Sequence, residues 1–428
     1  MAATPEKSAY AKVTRRLIPF LMLLYVVAWF DRVNVGFAAL QMNHDLGFSS
    51  SVFGFGAGVF FIGYALFEVP SNLVLARVGA RRWIARIMVT WGLVSVAMLF
   101  VRGPLSFYAL RFVLGVAEAG FLPGVIYYLG QWYPRAERAR AISWFMVGIP
   151  LSTVLGAPLA GLLLGLNGWH GLAGWQWLYL LEGLPAVLLG FVVLKCLPDT
   201  PAEARWLTPE EQQALARQRE AEHADTSARH GFGLRQALLH PTVWLLGFVL
   251  FACQCGSYGL TLWIPQIVKG LSAQSDLLVG FISALPYIAA AIGMVLLGWS
   301  SDRSGERFWH VALPSLVGAA GFAASAFLHS PVLAMLALTV AAVGDLGSRG
   351  PFWALPGRFL SGSALAGGIA LINTLGSLGG FVGPYAVGLV KDATGSFTGG
   401  LLLLALMLVA SAVATLWLKR SAVLAGRG

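Results

Sequence analysis

Residues 17–40 read LIPFLMLLYVVAWFDRVNVGFAAL, with Asp31 and Arg32 side by side inside an otherwise apolar run. The run is long enough to cross a bilayer as one helix, since about 20 apolar residues span the hydrocarbon core. A charge at that depth costs about 2.5 kcal/mol or more on insertion scales, so each of the two needs a partner or a task. Neighbouring helical residues point about 100° apart, so Asp31 and Arg32 are expected to address different partners.

The rest of the chain repeats this apolar pattern. Of 428 residues, 57% are hydrophobic and only 11% charged, against about 25% charged in soluble domains. The composition specifies a polytopic membrane protein. The first run has no short apolar core ending in a small-residue cleavage site, so it is expected to be a retained helix rather than a signal peptide. Cys196, Cys253 and Cys255 lie in or beside apolar runs and offer neither a disulfide framework nor metal-ligand spacing. No metal or cofactor is expected. Paired histidines and an HExxH motif are lacking too, which argues against an intramembrane enzyme.

Runs of about 20 apolar residues fall at 17–40, 52–76, 83–101, 105–131, 139–166, 174–197, 242–268, 276–299, 309–329, 331–356, 364–390 and 396–418. With the amino terminus inside, 23 of the 29 Lys and Arg lie in cytoplasmic segments; Arg102, Lys269 and Lys391 lie outside, and Arg32, Arg111 and Arg349 within helices. This asymmetry predicts that both termini are cytoplasmic. The net charge of +10 follows from that topology, and its dispersal over short loops gives no reason to expect nucleic-acid binding.

A hydrophilic stretch at 198–241 divides the helices six and six. Within it, Thr208, Pro209 and Glu211 form a capping-box pattern that predicts a short surface helix. NLVLARVGARR, after the second run, and GWSSDRSGERF, after the eighth, occupy corresponding places and share Arg-x-Gly followed by Arg: Arg77, Gly79, Arg81 and Arg82, then Arg303, Gly305 and Arg307. The repeat predicts an all-α membrane fold of two six-helix bundles, 1–197 and 242–428, joined by the 198–241 linker, with a site between them near mid-membrane.

These pieces resemble the major facilitator superfamily, whose loop motif is matched by Gly298, Asp302, Arg303, Gly305 and Arg307 but departs at Asn72 and Ala76 in the first copy. WFDRVNVGFA, EVPSNLVLARVGARRWIARIMVTWG, RFVLGVAEAGFLPG, WYPRAERARA and YGLTLWIPQ together resemble the anion:cation symporter family over nearly the whole chain, most closely its bacterial tartrate-type members. The resemblance implies proton-coupled symport of an organic anion across a bacterial inner membrane, by a protein expected to be a monomer in the lipid bilayer. Relatives that carry sugar acids or aromatic acids, and proton-independent exchange, stand as alternatives.

The buried polar residues are read accordingly. Arg111 and Glu118 lie seven apart in the fourth run and share a face. With Asp31 and Arg32 they form either a structural ion-pair network or an anion- and proton-binding set, and four ionisable residues in two helices exceed what packing requires. A guanidinium grips a carboxylate with two parallel hydrogen bonds, so Arg32 is the first candidate for substrate and Arg111 the second, or the local counter-ion. Glu118 and Asp31 are the proton-coupling candidates. Tyr64, Asn373, Trp29, Tyr258 and Trp353 are candidate pocket residues, with Ser152 a weak substitute for a polar contact near Ile149. Arg77, Arg81, Asp302, Arg303 and Glu68 are expected in a cytoplasmic gate. Asp345 and Arg349 are spaced to pair, and Gly376, Gly379, Gly380 and Gly383 suit close helix packing or a hinge.

Overall fold

The computed structural model describes residues 5–146, 148–217, 239–272, 274–360 and 362–424, which contain no strand. The first half comprises α1 (Pro5–Asp45), α2 (Ser50–Val78), α3 (Ala80–Ala97), α4 (Pro104–Glu118), α5 (Phe121–Trp132), α6 (Arg135–Met146), α7 (Gly148–Leu164) and α8 (Gly174–Cys196). The second comprises α9 (Pro241–Ser272), α10 (Asp276–Ser304), α11 (Phe308–Phe327), α12 (Pro331–Gly347), α13 (Arg349–Ala354), α14 (Pro356–Phe359), α15 (Gly362–Thr394) and α16 (Thr398–Leu424). Among the described residues, 11 helical stretches are long and apolar enough to cross a membrane. The span expected at 364–390 lies in α15, a 33-residue helix outside those 11 and rich in glycine.

Breaks in two expected spans matter for function. The fourth run divides after Glu118: Ala119 leaves the helical region and Gly120 takes φ 88°, ψ 0°, a left-handed geometry that glycine adopts without a Cβ clash. Glu118 is therefore the last residue of α4. The tenth run divides at Ser348 and again at Leu355, leaving α13 and α14 as short pieces.

The halves meet through three helix pairs: α1 with α9, α2 with α15, and α7 with α10. Each pairing has a position where only glycine fits without a shift. A Cβ at Gly36 would stand 2.9 Å from the Leu262 carbonyl oxygen, one at Gly161 2.7 Å from that of Asp276, and one at Gly380 2.7 Å from the Phe61 ring. Gly376 likewise abuts Leu250, and Gly379 and Gly383 abut Cys255, so the α15 glycine run serves close packing against α9.

At the end opposite the chain termini, polar bonds cross between the halves. The Asp392 carboxylate accepts from the Ser50 and Ser51 amides at 2.9 and 2.7 Å, capping α2, and Gln41 donates to Asp276 at 2.8 Å. The ion pairs of the repeated loops stay closer to home. Arg81 pairs with Asp199 and Glu203 at 3.5 and 3.3 Å, and Arg307 with Asp302 at 2.6 Å. Arg77 is exposed, and Arg303 lies over the Trp299 ring at 5.3 Å. The expected gate set thus forms no ion pair between halves among the described residues, because each loop's acids and bases fold onto their own side.

The linker expectation falls partly outside the described residues, at 218–238. Its capping box is present. The Glu211 amide donates to Thr208 Oγ1 at 3.3 Å and the Thr208 amide to Glu211 Oε2 at 2.9 Å. Glu211 also accepts from Ser8 at 2.7 Å and pairs with Lys12 at 2.8 Å, while Trp206 stacks on Trp132. The segment is thereby docked on α1 and α5.

Burial alone would raise the Glu211 carboxyl, but the bonds from Lys12, Thr208 and Ser8 hold it at about 2. A carboxyl depressed in the folded state stabilises it above the ordinary value of 4.5 and loses that contribution as pH falls toward about 2. Thermal unfolding should show Glu211→Gln less stable than wild type at pH 7, with the gap narrowing as pH is lowered through that window. A gap independent of pH would show that the docking is not carried by this charge.

Candidate central anion site

Arg32 and Glu118 form the centre. Arg32 Nε donates to Glu118 Oε1 at 2.6 Å, with side chains only 8% and 1% exposed. The break at Gly120 lets Glu118 end its helix against α1, and its Oε2 has no hydrogen-bond partner among the described residues. Aromatic rings surround the guanidinium: its carbon lies 4.9 Å from the Tyr64 centroid, 5.5 Å from Trp29 and 5.8 Å from Phe60. Their negative faces support a desolvated cation. Trp29 is fixed by donating to Thr153 Oγ1 at 3.0 Å.

The second half closes on this group. Asn373 of α15 donates to Glu68 Oε1 at 2.8 Å, and Tyr258 of α9 stacks near Phe61 with centroids 4.2 Å apart. Arg32 lies within electrostatic reach of Glu68, Tyr64 and Tyr258. Glu68 is buried, and its partner is Asn373 across the halves instead of the loop arginine expected. Arg32, Glu118, Tyr64 and Trp29 lie together, with Tyr258 adjoining through Phe61 and Asn373 through Glu68.

Three candidates sit elsewhere. Arg111 donates to the Gly56 and Ala57 carbonyls of α2 at 3.4 and 3.1 Å and stacks 5.0 Å from Phe60. The α2 backbone thus takes two of its three nitrogens, while Nη1 has no hydrogen-bond partner among the described residues. Asp31 turns away from Arg32 toward α3, accepting from Trp91, from Ser95 at 2.5 Å and from Asn34 at 3.1 Å. Trp353 is 40% exposed and packs edge-on against Phe352. Ser152 is also withdrawn, donating to its own helix at Gly148. Asp345 and Arg349 do pair, at 3.2 Å, and Ser257 of α9 bonds to both.

Sequence reasoning missed Asn34, Trp91, Ser95, Tyr179 and Glu182. Glu182 carried the same signal as Asp31, a lone acid within the apolar run WLYLLEGLPAVLL. The other four are uncharged, and nothing in their spacing sets them apart from ordinary helix-packing residues.

The description Major Facilitator Superfamily matches residues 21–384. The chain belongs to that superfamily. A protein of Agrobacterium vitis named "Putative tartrate transporter" is 54% identical, over 97% of this chain and 92% of its own. The "Quinolone resistance transporter" of Acinetobacter baumannii is 46% identical, over 96% and 94%. Among solved structures, a bacterial homolog of the human lysosomal transporter Spinster, in an inward-facing and unoccupied conformation, superposes with TM-score 0.75 at 18% identity, covering 97% of this chain and 96% of that one. The chain is a multi-pass membrane protein of a transporter family, with the all-α fold of that superfamily.

If Arg32 is the anion clamp, Arg32→Lys retains the charge but loses the planar fork. Ligand affinity, read by the stabilisation a carboxylate confers on the purified protein, should fall by about tenfold or more. An affinity within about twofold of wild type would remove Arg32 from the site.

Proposed function

We propose that this protein is a secondary active transporter that carries a small organic anion into the cytoplasm together with protons, by alternating access at the Arg32–Glu118 centre. The observation that carries the reading is the buried ion pair itself. Glu118 occupies the guanidinium that a substrate carboxylate would need. Protonating Glu118 frees Arg32 for the anion, and the anion's arrival keeps the proton on Glu118, so the two bind together. Asp31 is a second proton-coupling candidate, and Tyr64, Trp29, Tyr258 and Asn373 are positioned to bond hydroxyls or form the walls. Trp353, Arg111 and the loop arginines play no direct part in this scheme.

A tartrate-like hydroxy-dicarboxylate is the favoured substrate, supported by the name of the 54% identical relative. One observation favours a second reading: with Arg111 held by α2 carbonyls, a single guanidinium faces the centre, which suits a sugar-acid or aromatic monocarboxylate. The basic loops support a bacterial inner-membrane orientation with both termini cytoplasmic. The protein works as a monomer whose units are the 1–197 bundle, the 198–241 linker and the 242–428 bundle.

Radiolabelled tartrate uptake into proteoliposomes should be saturable and driven by an imposed pH gradient. Uptake that saturates only for galactonate or hydroxybenzoate would reject the diacid and leave the broader anion reading. In the same vesicles, Glu118→Gln should lose proton-driven accumulation while retaining counterflow exchange, because the amide imitates the protonated acid. Retained accumulation would overturn coupling through Glu118.

A further inference from the structure

The second half repeats the charge centre of the first. α2 and α10 are each 29 residues long, and each is capped by the glycine of an Arg-x-Gly loop, Gly79 and Gly305. Counted back from those glycines, Asp31 matches Ser257, Arg32 matches Tyr258 and Gly36 matches Leu262. A Cβ on Gly36 would meet the Leu262 backbone, so equivalent residues touch where the halves join, and the halves lie in register. Glu118 closes the 15 residues of α4 that start at Pro104, and Asp345 holds the same place in α12 counted from Pro331. Each half therefore carries a buried acid at one level, next to a break in its helix, at Gly120 and at Ser348.

The acid of the second half is paired just beyond its break. Arg349 Nη2 donates to Ser257 Oγ at 2.6 Å and lies 3.2 Å from Asp345 Oδ1, while the Ser257 hydroxyl donates to Asp345 Oδ2. One nitrogen makes all the contacts of the guanidinium. Nε and Nη1 have no hydrogen-bond partner among the described residues, and the side chain keeps 13% of its surface open. A pair that only cancels charge in hydrocarbon would be sealed and would spend its donors on itself. The opening faces inward. Between Cys253 and Pro265 no residue of α9 is exposed, and the partly accessible ones, Gln254, Ser257 and Thr261, are all polar and share a face. Arg349 bonds to that face. Next to Ser257, Tyr258 stacks on Phe61, and Phe60 beside it lies 5.8 Å from Arg32, so the two guanidiniums flank one turn of α9.

We propose that Arg349, seated on Asp345 and Ser257, is the second-half grip for the other carboxylate of the anion and so selects dicarboxylates over monocarboxylates. This rests on the anion transport proposed above and names the substrate class at that site. Each carboxylate brought to membrane depth needs its own cation. Arg32 answers one. Of the other two arginines within the spans, Arg111 is 1% exposed and its unpartnered Nη1 is buried, whereas Arg349 opens on internal space. A diacid held at both ends ties the first half to the second; a monoacid reaches one half alone.

Tartrate and its monoamide test this, because the monoamide keeps the shape and the hydroxyls but has one carboxylate. The affinity of the purified full-length protein for each is read from thermal stabilisation. Wild type should bind tartrate about tenfold more tightly than the monoamide, the worth of one hydrogen bond to a charged group. Arg349→Gln should bring that ratio to about one while leaving the monoamide affinity within about twofold of wild type. Asp345→Asn/Arg349→Gln should do the same, and it leaves no unpaired buried charge if the single variant does not fold. Equal weakening of both ligands would mark a packing role and overturn the grip. A ratio that stays near tenfold in the double variant overturns it too and leaves the anion reading standing. So does a wild type that binds both ligands equally, or binds galactonate or hydroxybenzoate instead. A wild type without affinity for any of these carboxylates would overturn the grip and the transport reading together.

Discussion

The cost of placing charge in hydrocarbon organises this molecule. Arg32 and Glu118 are tolerable at mid-depth only because they face each other at 2.6 Å, and breaking such a pair by removing one partner costs about 3–5 kcal/mol. The same cost makes the pair responsive. A carboxylate or a proton that changed either partner's charge would change the stability of the contact by a comparable amount.

The contacts between halves rest on small residues. They are close-packed glycine faces, at Gly36, Gly161 and Gly380, with few polar bonds across them. Backbones this near gain dispersion energy without fixing a particular hydrogen-bond register. The polar bonds that do cross lie at one end, through Asp392 and Gln41, and at mid-depth, through Glu68 and Asn373. The loops at the terminal end instead bind to their own half or to the linker. The described conformation is thus held together more firmly at the end away from the termini.

Glu211 shows the same economy outside the membrane. One carboxyl closes the cap of its own helix and holds α1 through Ser8 and Lys12. The described part of the linker is thereby attached to the helix that carries Arg32.

Much of the fold was legible in the sequence because membrane helices announce themselves by length and hydropathy, and because Asp31, Arg32, Arg111 and Glu118 are conspicuous in apolar runs. The capping box at Thr208 was legible too, its partners being three residues apart. Partners distant in the chain were not. Which acid Arg32 meets, that Arg111 bonds α2 carbonyls, that Asp31 turns to Trp91 and Ser95, and that Trp353 is partly exposed depend on helix rotation and, for Glu118, on the break at Gly120. Hydrophobic periodicity says that a residue is inside a helix. Only the packing of one helix against another decides which neighbour compensates its charge.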